Sequence, residues 1–138
     1  MHRADLLALA LLASCTTTSQ HRGVRPLRPL ELATAPYQET ITDSLTGSLL
    51  YEGGCLLFRE DQTKSRLMPV WPIGSVFNGT SVIFHRPSKA DQPILVGEEF
   101  VMEGRQAQWF QLPAPTYAPF QRQCSASPFL VSGVRPAN

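Results

Sequence analysis

The sequence predicts a small all-β domain over residues 41–138, and three observations lead to this prediction. Short runs of β-branched, aromatic and leucine residues recur between Gly, Pro, Asn and Asp. No stretch carries apolar residues at helical spacing for three turns. The segment holds about 100 residues, which is enough for one small core and no more. We therefore expect a single domain built from strands.

Turn residues divide this domain into eight predicted strands. The strongest turn signals are Glu52-Gly53-Gly54 and Asn78-Gly79, because glycine permits the positive φ of a tight turn. Pro69 and Pro72 should hold the third strand to an edge or end it early. The predicted strands are residues 47–51, 55–59, 66–71, 80–84, 94–96, 99–102, 108–112 and 129–134.

Many short strands favour a closed or partly open barrel of antiparallel strands, because closure removes exposed strand edges. The least regular part is 111–128, which contains four prolines with Tyr117 and Phe120 between them. We expect a proline-stiffened loop there. It would either present a binding surface or wrap over the barrel mouth, where Cys124 would fasten it.

The amino terminus resembles a bacterial lipoprotein signal peptide. Arg3 precedes an apolar run over 6–13, which has the length of a secretory signal core and is too short to span a bilayer. Leu12-Ala13-Ser14-Cys15 resembles the lipobox, in which a leucine and small residues precede the acylated cysteine. The resemblance implies a signal peptide over 1–14 and a lipid anchor on Cys15. The alternative is an ordinary cleaved signal peptide in which this cysteine is incidental.

Residues 15–40 are expected to form a lipid-anchored, extended and mobile tether, because small polar residues begin it and three prolines interrupt it. Arg22, Arg25 and Arg28 lie there without an acid near them. They could attract anionic head groups or simply solubilise a linker. Because Thr and not Asp follows the anchor cysteine, lipoprotein sorting implies the outer membrane of a bacterial cell envelope, facing the periplasm.

Acylation would also resolve the cysteine count, since three cysteines in an exported chain leave one unpaired. With Cys15 acylated, Cys55 and Cys124 remain as a pair. A disulfide between them would close a loop of about 70 residues. It would raise the free energy of the unfolded chain by about 4 kcal/mol, because the closed loop has fewer conformations. The alternative is two reduced and buried thiols.

Charge and histidine content exclude some functions. From residue 31 on, eight Lys or Arg stand against ten Asp or Glu, and this balance opposes nucleic acid as a partner. His85 is the only histidine after residue 40, so a His-based metal cluster cannot be assembled, and we expect neither a metal nor a cofactor. His85 itself is expected in a solvated loop.

Carboxylates are the remaining catalytic candidates. On a strand, Glu99 and Glu103 would share a face while Glu98 pointed away. Glycoside hydrolysis requires two acids across a cleft. The alternatives are a solvated acidic face and aromatic residues that belong to the core. The aromatic residues that could stack on sugars are Trp71, Trp109, Phe110 and Tyr117.

Short motifs of the domain resemble a group of small secreted or lipid-anchored bacterial proteins. The chain departs from the group at Gly104-Arg105, where paired glycines are expected, and in the turn from Lys64 to Arg66, which lacks the usual glycine. Proteins of this group form OB-type small barrels and have no assigned activity. The resemblance implies an OB-like barrel and supports a Cys55–Cys124 pair, without a catalytic residue. The matching motifs are Gly54-Cys55-Leu56, Val70-Trp71-Pro72-x-Gly74, Val96-Gly97-Glu98 and Cys124.

The sequence therefore favours a non-catalytic envelope lipoprotein, monomeric, whose barrel binds an envelope protein, a glycan or a small ligand, or is structural, near the membrane. The alternative is a small hydrolase of cell-wall or surface polysaccharide that uses Glu98, Glu99 or Glu103. A cleft that holds two of these carboxylates would favour the hydrolase, and scattered acids would oppose it. Oligonucleotide binding rests on fold-level analogy alone, and the charge opposes it.

Overall fold

The computed structural model describes residues 23–138, so the leader, the lipobox and Cys15 lie outside the described residues. Strands dominate this part of the chain, which confirms the predicted all-β class. One α-helix, α1, spans Ala114–Gln123, and a 3-10 turn, Trp109–Gln111, precedes it. The strands are β1 (Thr34–Ala35), β2 (Asp43–Glu52), β3 (Cys55–Glu60), β4 (Arg66–Pro72), β5 (Val76–Phe77), β6 (Ser81–Phe84), β7 (Gln92–Leu95), β8 (Glu99–Gln106) and β9 (Ser127–Pro136).

Five strands form a closed ring in the order β2, β3, β4, β9, β8 and back to β2. All five pairings are antiparallel except that of β4 with β9, which is parallel. After the meander β2–β3–β4, β8 returns to lie beside β2, which is the Greek-key order. A five-stranded Greek-key ring is an OB-type barrel, so the predicted OB-like barrel is confirmed.

Pro69 lies inside the ring rather than on an edge strand. β3 pairs only with the first two residues of β4. The Trp71 N–H donates to the Ala33 carbonyl at 2.8 Å, and the nitrogen of Pro69, two residues earlier, faces the same side. That side is the gap between β3 and β1. The absence of a backbone N–H at Pro69 therefore costs the ring no hydrogen bond. Pro72 ends β4, as predicted.

The barrel strands separate two cores. In the barrel interior, alternate residues such as Phe58 of β3 and Phe129 of β9 form the main core. The residues between them point outward, and Leu57 and Leu130 join a second core with Phe120 of α1. We call the outer faces of β3, β4 and β9, together with the segments that cover them, the α1 wall.

A second antiparallel sheet of β5, β6 and β7 lies in the connection from β4 to β8. Its inner side chains Val82, Phe84 and Ile94 belong to the main core. The rings of Trp71 and Phe84 pack edge to face, with centroids 6.2 Å apart. This small sheet therefore covers the barrel interior.

The sequence does not predict the short strands β1 and β5, and two further elements differ from the prediction. The strand predicted over 108–112 is wrong, because a 3-10 turn lies there, and α1 replaces the loop predicted over 111–128. Pro115 lies in the first helical turn, where no N–H is needed. Tyr117 and Phe120 are buried. The ten-residue helix is shorter than three turns, which is why its apolar face shows no repeating pattern.

The described part of the expected tether, residues 23–40, lies against the barrel. β1 pairs in parallel with the end of β4. Ala33 is buried, and the Tyr117 hydroxyl donates to the Thr34 carbonyl at 2.7 Å. Farther along, the Ser132 hydroxyl donates to the Gln38 carbonyl at 2.9 Å. The folded part of the chain therefore starts well before residue 40.

Candidate functional site

A cleft of about 270 Å³ lies between the small sheet and the barrel. One side is β7, and the other is formed by the start of β8 and the end of β9. Ligand sites typically enclose about 300 to 1,000 Å³, so this cleft suits a small ligand or a few residues of a peptide. Its apolar lining includes Ile94, Leu95, Phe100 and Val134, and its polar lining is Gln92, Glu98, Glu99 and Arg135.

The turn between β7 and β8 places the acids at this cleft. Gly97 has a φ of 93°, in the left-handed region that favours glycine. Its N–H donates to the Leu49 carbonyl at 3.0 Å, and the Glu98 N–H donates to the Leu95 carbonyl at 3.2 Å. The turn is thus bonded both to β2 and within itself, which determines where β8 starts with Glu99.

Asp61 lies beside Glu99 and changes its titration. The Asp61 N–H donates to the Thr46 carbonyl of β2 at 2.9 Å, while Glu99 is opposite Ser48 of the same strand. Hydrogen bonding with Asp61, and then the charge of that carboxylate, raise the pKa of Glu99. A positively charged ligand group would relieve this repulsion. Sequence reasoning missed Asp61, because only the pairing of both neighbours with β2 brings the two acids together.

Glu103 lies outside the cleft lining. It shares the outer face of β8 with Glu99, as predicted, since the two are opposite Ser44 and Ser48 of β2. Its carboxylate accepts from Arg135 Nε at 3.3 Å and from the Ser44 hydroxyl at 3.5 Å. We call the outer faces of β2 and β8, with Asp61, the acidic wall.

Three buried polar atoms near the cleft have no hydrogen-bond partner among the described residues: Trp71 Nε1, Arg86 Nε and Gln92 Oε1. All three residues neighbour Phe84. Trp71 packs on its ring, the Arg86 guanidinium carbon is 5.6 Å from its centroid, and Gln92 is its cross-strand partner. Buried polar groups normally have hydrogen-bond partners. Of these three residues, only Gln92 lines the cleft, so its Oε1 is the one acceptor of the three that a molecule in the cleft could reach.

The sulfur atoms of Cys55 and Cys124 lie 1.97 Å apart, at bonding distance, as the predicted pair requires. Both residues are buried in the second core. Beside them, the Gln123 amide donates to the Gly53 carbonyl at 3.0 Å. The pair connects the end of α1 to the start of β3.

The aromatic candidates for sugar stacking lie away from the cleft lining. Trp71 is buried in the main core. The indole of Trp109 donates to the Ala126 carbonyl at 2.9 Å, and its ring packs on Tyr117 in the second core. Phe110 is exposed on the 3-10 turn.

His85 follows β6, in the loop where the sequence predicts it. Its Nδ1 lies 2.8 Å from a carboxylate oxygen of Asp91, and both side chains are about half exposed. Such exposed pairs contribute little to stability. Over residues 23–138, no group of three His, Cys, Asp or Glu side chains could hold a metal ion.

Comparison of the chain with protein-family models, with curated proteins and with solved structures found no match. In the described part of the chain, no helix has the length and apolar character needed to cross a membrane. A functional proposal therefore depends on the leader sequence, the cysteine pair and the cleft.

Proposed function

We propose that the protein is a non-catalytic lipoprotein of a bacterial cell envelope, anchored through Cys15, whose barrel binds another envelope component. The motif Leu12-Ala13-Ser14-Cys15 supports the anchor. The bonded pair Cys55 and Cys124 supports an oxidising compartment, since disulfides are rare in the cytosol. Acylation of Cys15 would account for the third cysteine.

The cleft carries the binding proposal. Its apolar sides would hold an apolar group, and Gln92 Oε1 would accept a hydrogen bond from a peptide N–H or a hydroxyl. At its mouth, Glu98 and Glu99 with nearby Asp61 favour a positive charge, while Arg135 of the lining is paired with Glu103. The ligand class that fits is a peptide segment of an envelope protein with a lysine or arginine next to apolar residues.

Fatty-acid labelling tests the anchor. The chain is expressed with its own leader in a bacterium that is fed a clickable fatty acid, and the wild type is compared with Cys15→Ala. We expect label and membrane retention in the wild type and loss of both in the variant. An unlabelled wild type, or equal labelling of the two, would overturn the anchor.

Nuclear magnetic resonance tests the cleft with the blocked tripeptide Leu-Lys-Leu as the probe. We expect shifts at Leu95 and Phe100 and a lower pKa of Glu99 when the peptide is bound, because a cation favours the ionised carboxylate. Glu99→Gln should weaken binding, and Glu39→Gln, an exposed acid elsewhere, should leave it unchanged. Absence of these shifts, or equal binding by Glu99→Gln, would refute the cationic ligand.

A second candidate is hydrolysis of cell-wall or surface polysaccharide. The observation that favours it is that Glu98 and Glu99 line one cleft, and the raised pKa of Glu99 suits a general acid. Release of reducing ends from purified peptidoglycan by the wild type, lost in Glu99→Gln, would establish this function and replace the binding proposal.

A further inference from the structure

We propose that the α1 side of the domain lies flat on an anionic phospholipid surface, with Phe110 among the lipid head groups. We call this surface the α1 face: the outer side of α1, residues 24–28 and Phe110. The inference rests on the proposed lipid anchor at Cys15. It adds an orientation that the anchor alone would not determine.

Only a short chain would separate the proposed anchor from the fold. Seven residues, 16–22, separate Cys15 from Gly23, the first described residue. An extended chain covers at most about 3.6 Å per residue, so Gly23 would lie within about 30 Å of the anchored sulfur. The domain is therefore held near the bilayer rather than at the end of a long tether.

The chain enters the fold next to the last turn of α1. The Leu27 N–H donates to Gln123 Oε1 at 3.2 Å. The entering residues Val24 to Pro26 and the last turn of α1 line a common recess of about 340 Å³. The anchor would therefore attach the domain beside the carboxyl end of α1, which places the α1 face nearest to the lipid.

Charge also favours this orientation. Arg25, Arg28 and Arg122 belong to the α1 face, and neither residues 23–30 nor α1 contains Asp or Glu. Glu31, the acid nearest to the entering chain, forms an ion pair with Arg25. A face without unpaired acid, beside Arg28 at the chain entry, is complementary to anionic head groups.

Phe110 is 85% exposed, more than any other large apolar side chain of residues 23–138. Trp109 and Leu112 pack into the second core, so the 3-10 turn is fixed with Phe110 outside. On the outer side of α1, Ala114, Pro115 and Thr116 are exposed and uncharged. An exposed aromatic ring next to arginines and uncharged residues is typical of a surface that attaches to the membrane interface.

This orientation leaves the cleft open. In the ring, β3, β4 and β9 lie under α1, and β2 and β8 are the two remaining strands, on the side opposite β4. With the α1 face on lipid, the acidic wall points away from the anionic surface, and the cleft formed with β8 faces the aqueous compartment. A partner could then reach the cleft without displacing the domain from the membrane.

The test uses the acylated full chain in vesicles of phosphatidylethanolamine and phosphatidylglycerol whose acyl chains carry bromine near the head groups. Phe110→Trp reports lipid contact through quenching of tryptophan fluorescence. Ile73→Trp is the matched control, because Ile73 is also exposed and apolar but follows β4, outside the α1 face. We expect quenching about twofold greater at position 110, since an interfacial side chain lies at the boundary of head groups and acyl chains.

The outcomes separate this proposal from the proposed function. Acylated protein that floats with the vesicles but shows equal quenching at positions 110 and 73 overturns the orientation and leaves the anchor intact. Protein that is not acylated and does not float overturns the anchor and the orientation together. If quenching at position 110 is as strong in phosphatidylcholine vesicles as in the anionic vesicles, anionic lipid has no role in the orientation. Weaker quenching in phosphatidylcholine supports that role.

Discussion

The α1 wall and the acidic wall are outer faces of one barrel, and they differ in what covers them. On β3, the four consecutive residues from Cys55 to Phe58 are buried, because α1 covers one face and the barrel interior the other. On β8, Phe100 and Met102 face the barrel interior, and on the outer face Glu99 and Glu103 reach solvent on either side of the buried Val101. A strand covered on both faces is continuously apolar, and a strand with one wet face carries polar residues there.

The difference has a functional consequence. The α1 wall is held by a disulfide, a buried tyrosine and a packed amino-terminal segment, so it is suited to be a rigid base. The acidic wall carries the carboxylates of Glu99 and Asp61 close together at the edge of a cleft, where a cationic ligand would reduce their repulsion. Mutations that weaken one wall should therefore act on stability, and mutations in the other on binding.

Removing the disulfide should have the largest effect. Cys55→Ser combined with Cys124→Ser should lower the free energy of unfolding by about 4 kcal/mol, because a sequence separation of 69 residues is no longer closed in the unfolded chain. Urea unfolding measures this loss, and the reduced wild type should match it. In single-tryptophan variants, Trp109 should report loosening of the α1 wall before Trp71 reports unfolding of the main core. If the Trp109 and Trp71 transitions coincide and are the same with and without the cysteine pair, the pair does not stabilise the α1 wall.

Truncation of a buried side chain of the α1 wall should come next. Phe120→Ala should cost about 3 kcal/mol in urea unfolding, through lost burial and the cavity left behind. Ser48→Ala on the acidic wall is the control and should change stability by less than about 0.5 kcal/mol, as surface substitutions usually do. Equal losses would mean that the two walls do not differ in packing.

A smaller effect is expected from the contact between α1 and β1. Tyr117→Phe removes the hydrogen bond to the Thr34 carbonyl and should cost about 1 kcal/mol. Burial raises the pKa of Tyr117, so the hydroxyl stays a donor at neutral pH. Hydrogen exchange should show faster exchange of the Trp71 amide, which donates to Ala33 beside β1. An unchanged exchange rate of the Trp71 amide would mean that other contacts hold residues 24–40 against the barrel.

The smallest effect should come from the acidic wall. Because the pKa of Glu99 is raised above its ordinary 4.5, folding favours the protonated form and the ionised pair opposes folding at pH 7. Glu99→Gln should therefore raise the urea midpoint slightly at pH 7. The gain should vanish below about pH 4, where the carboxyl is protonated in folded and unfolded chains alike. Glu98→Gln keeps the contact with Asp61 and should show a smaller gain; an equal one would mean that Asp61 is not the cause.

Sequence patterns were sufficient for the ring of strands but not for the layer around it. Glycine turns and short apolar runs mark β2, β3, β6 and β8, where local geometry and burial agree. α1 contains two prolines and has fewer than three turns, so its local signals predict a loop. It is helical because the outer faces of β3, β4 and β9 need an apolar cover, which supplies Tyr117 and Phe120 with a surface to pack on.

The candidate site shows the same division. Glu98, Glu99 and Glu103 are visible in the sequence as acids around one strand. Only the structure separates them, since Glu103 binds Arg135 while Asp61 approaches Glu99 from another loop. The cleft itself depends on β7 and the end of β9, which are about 40 residues apart in the chain.

The sequence by itself determined the strand-rich class and the location of the acids, and it favoured a Cys55–Cys124 pair over two reduced thiols, because apolar runs, turn residues and cysteine count are local or arithmetic properties. Tertiary structure decided that residues 24–40 join the fold, that α1 forms, and which acids face each other. These features depend on apolar surface and charge contributed by distant segments, and that contribution exists only after the ring has closed.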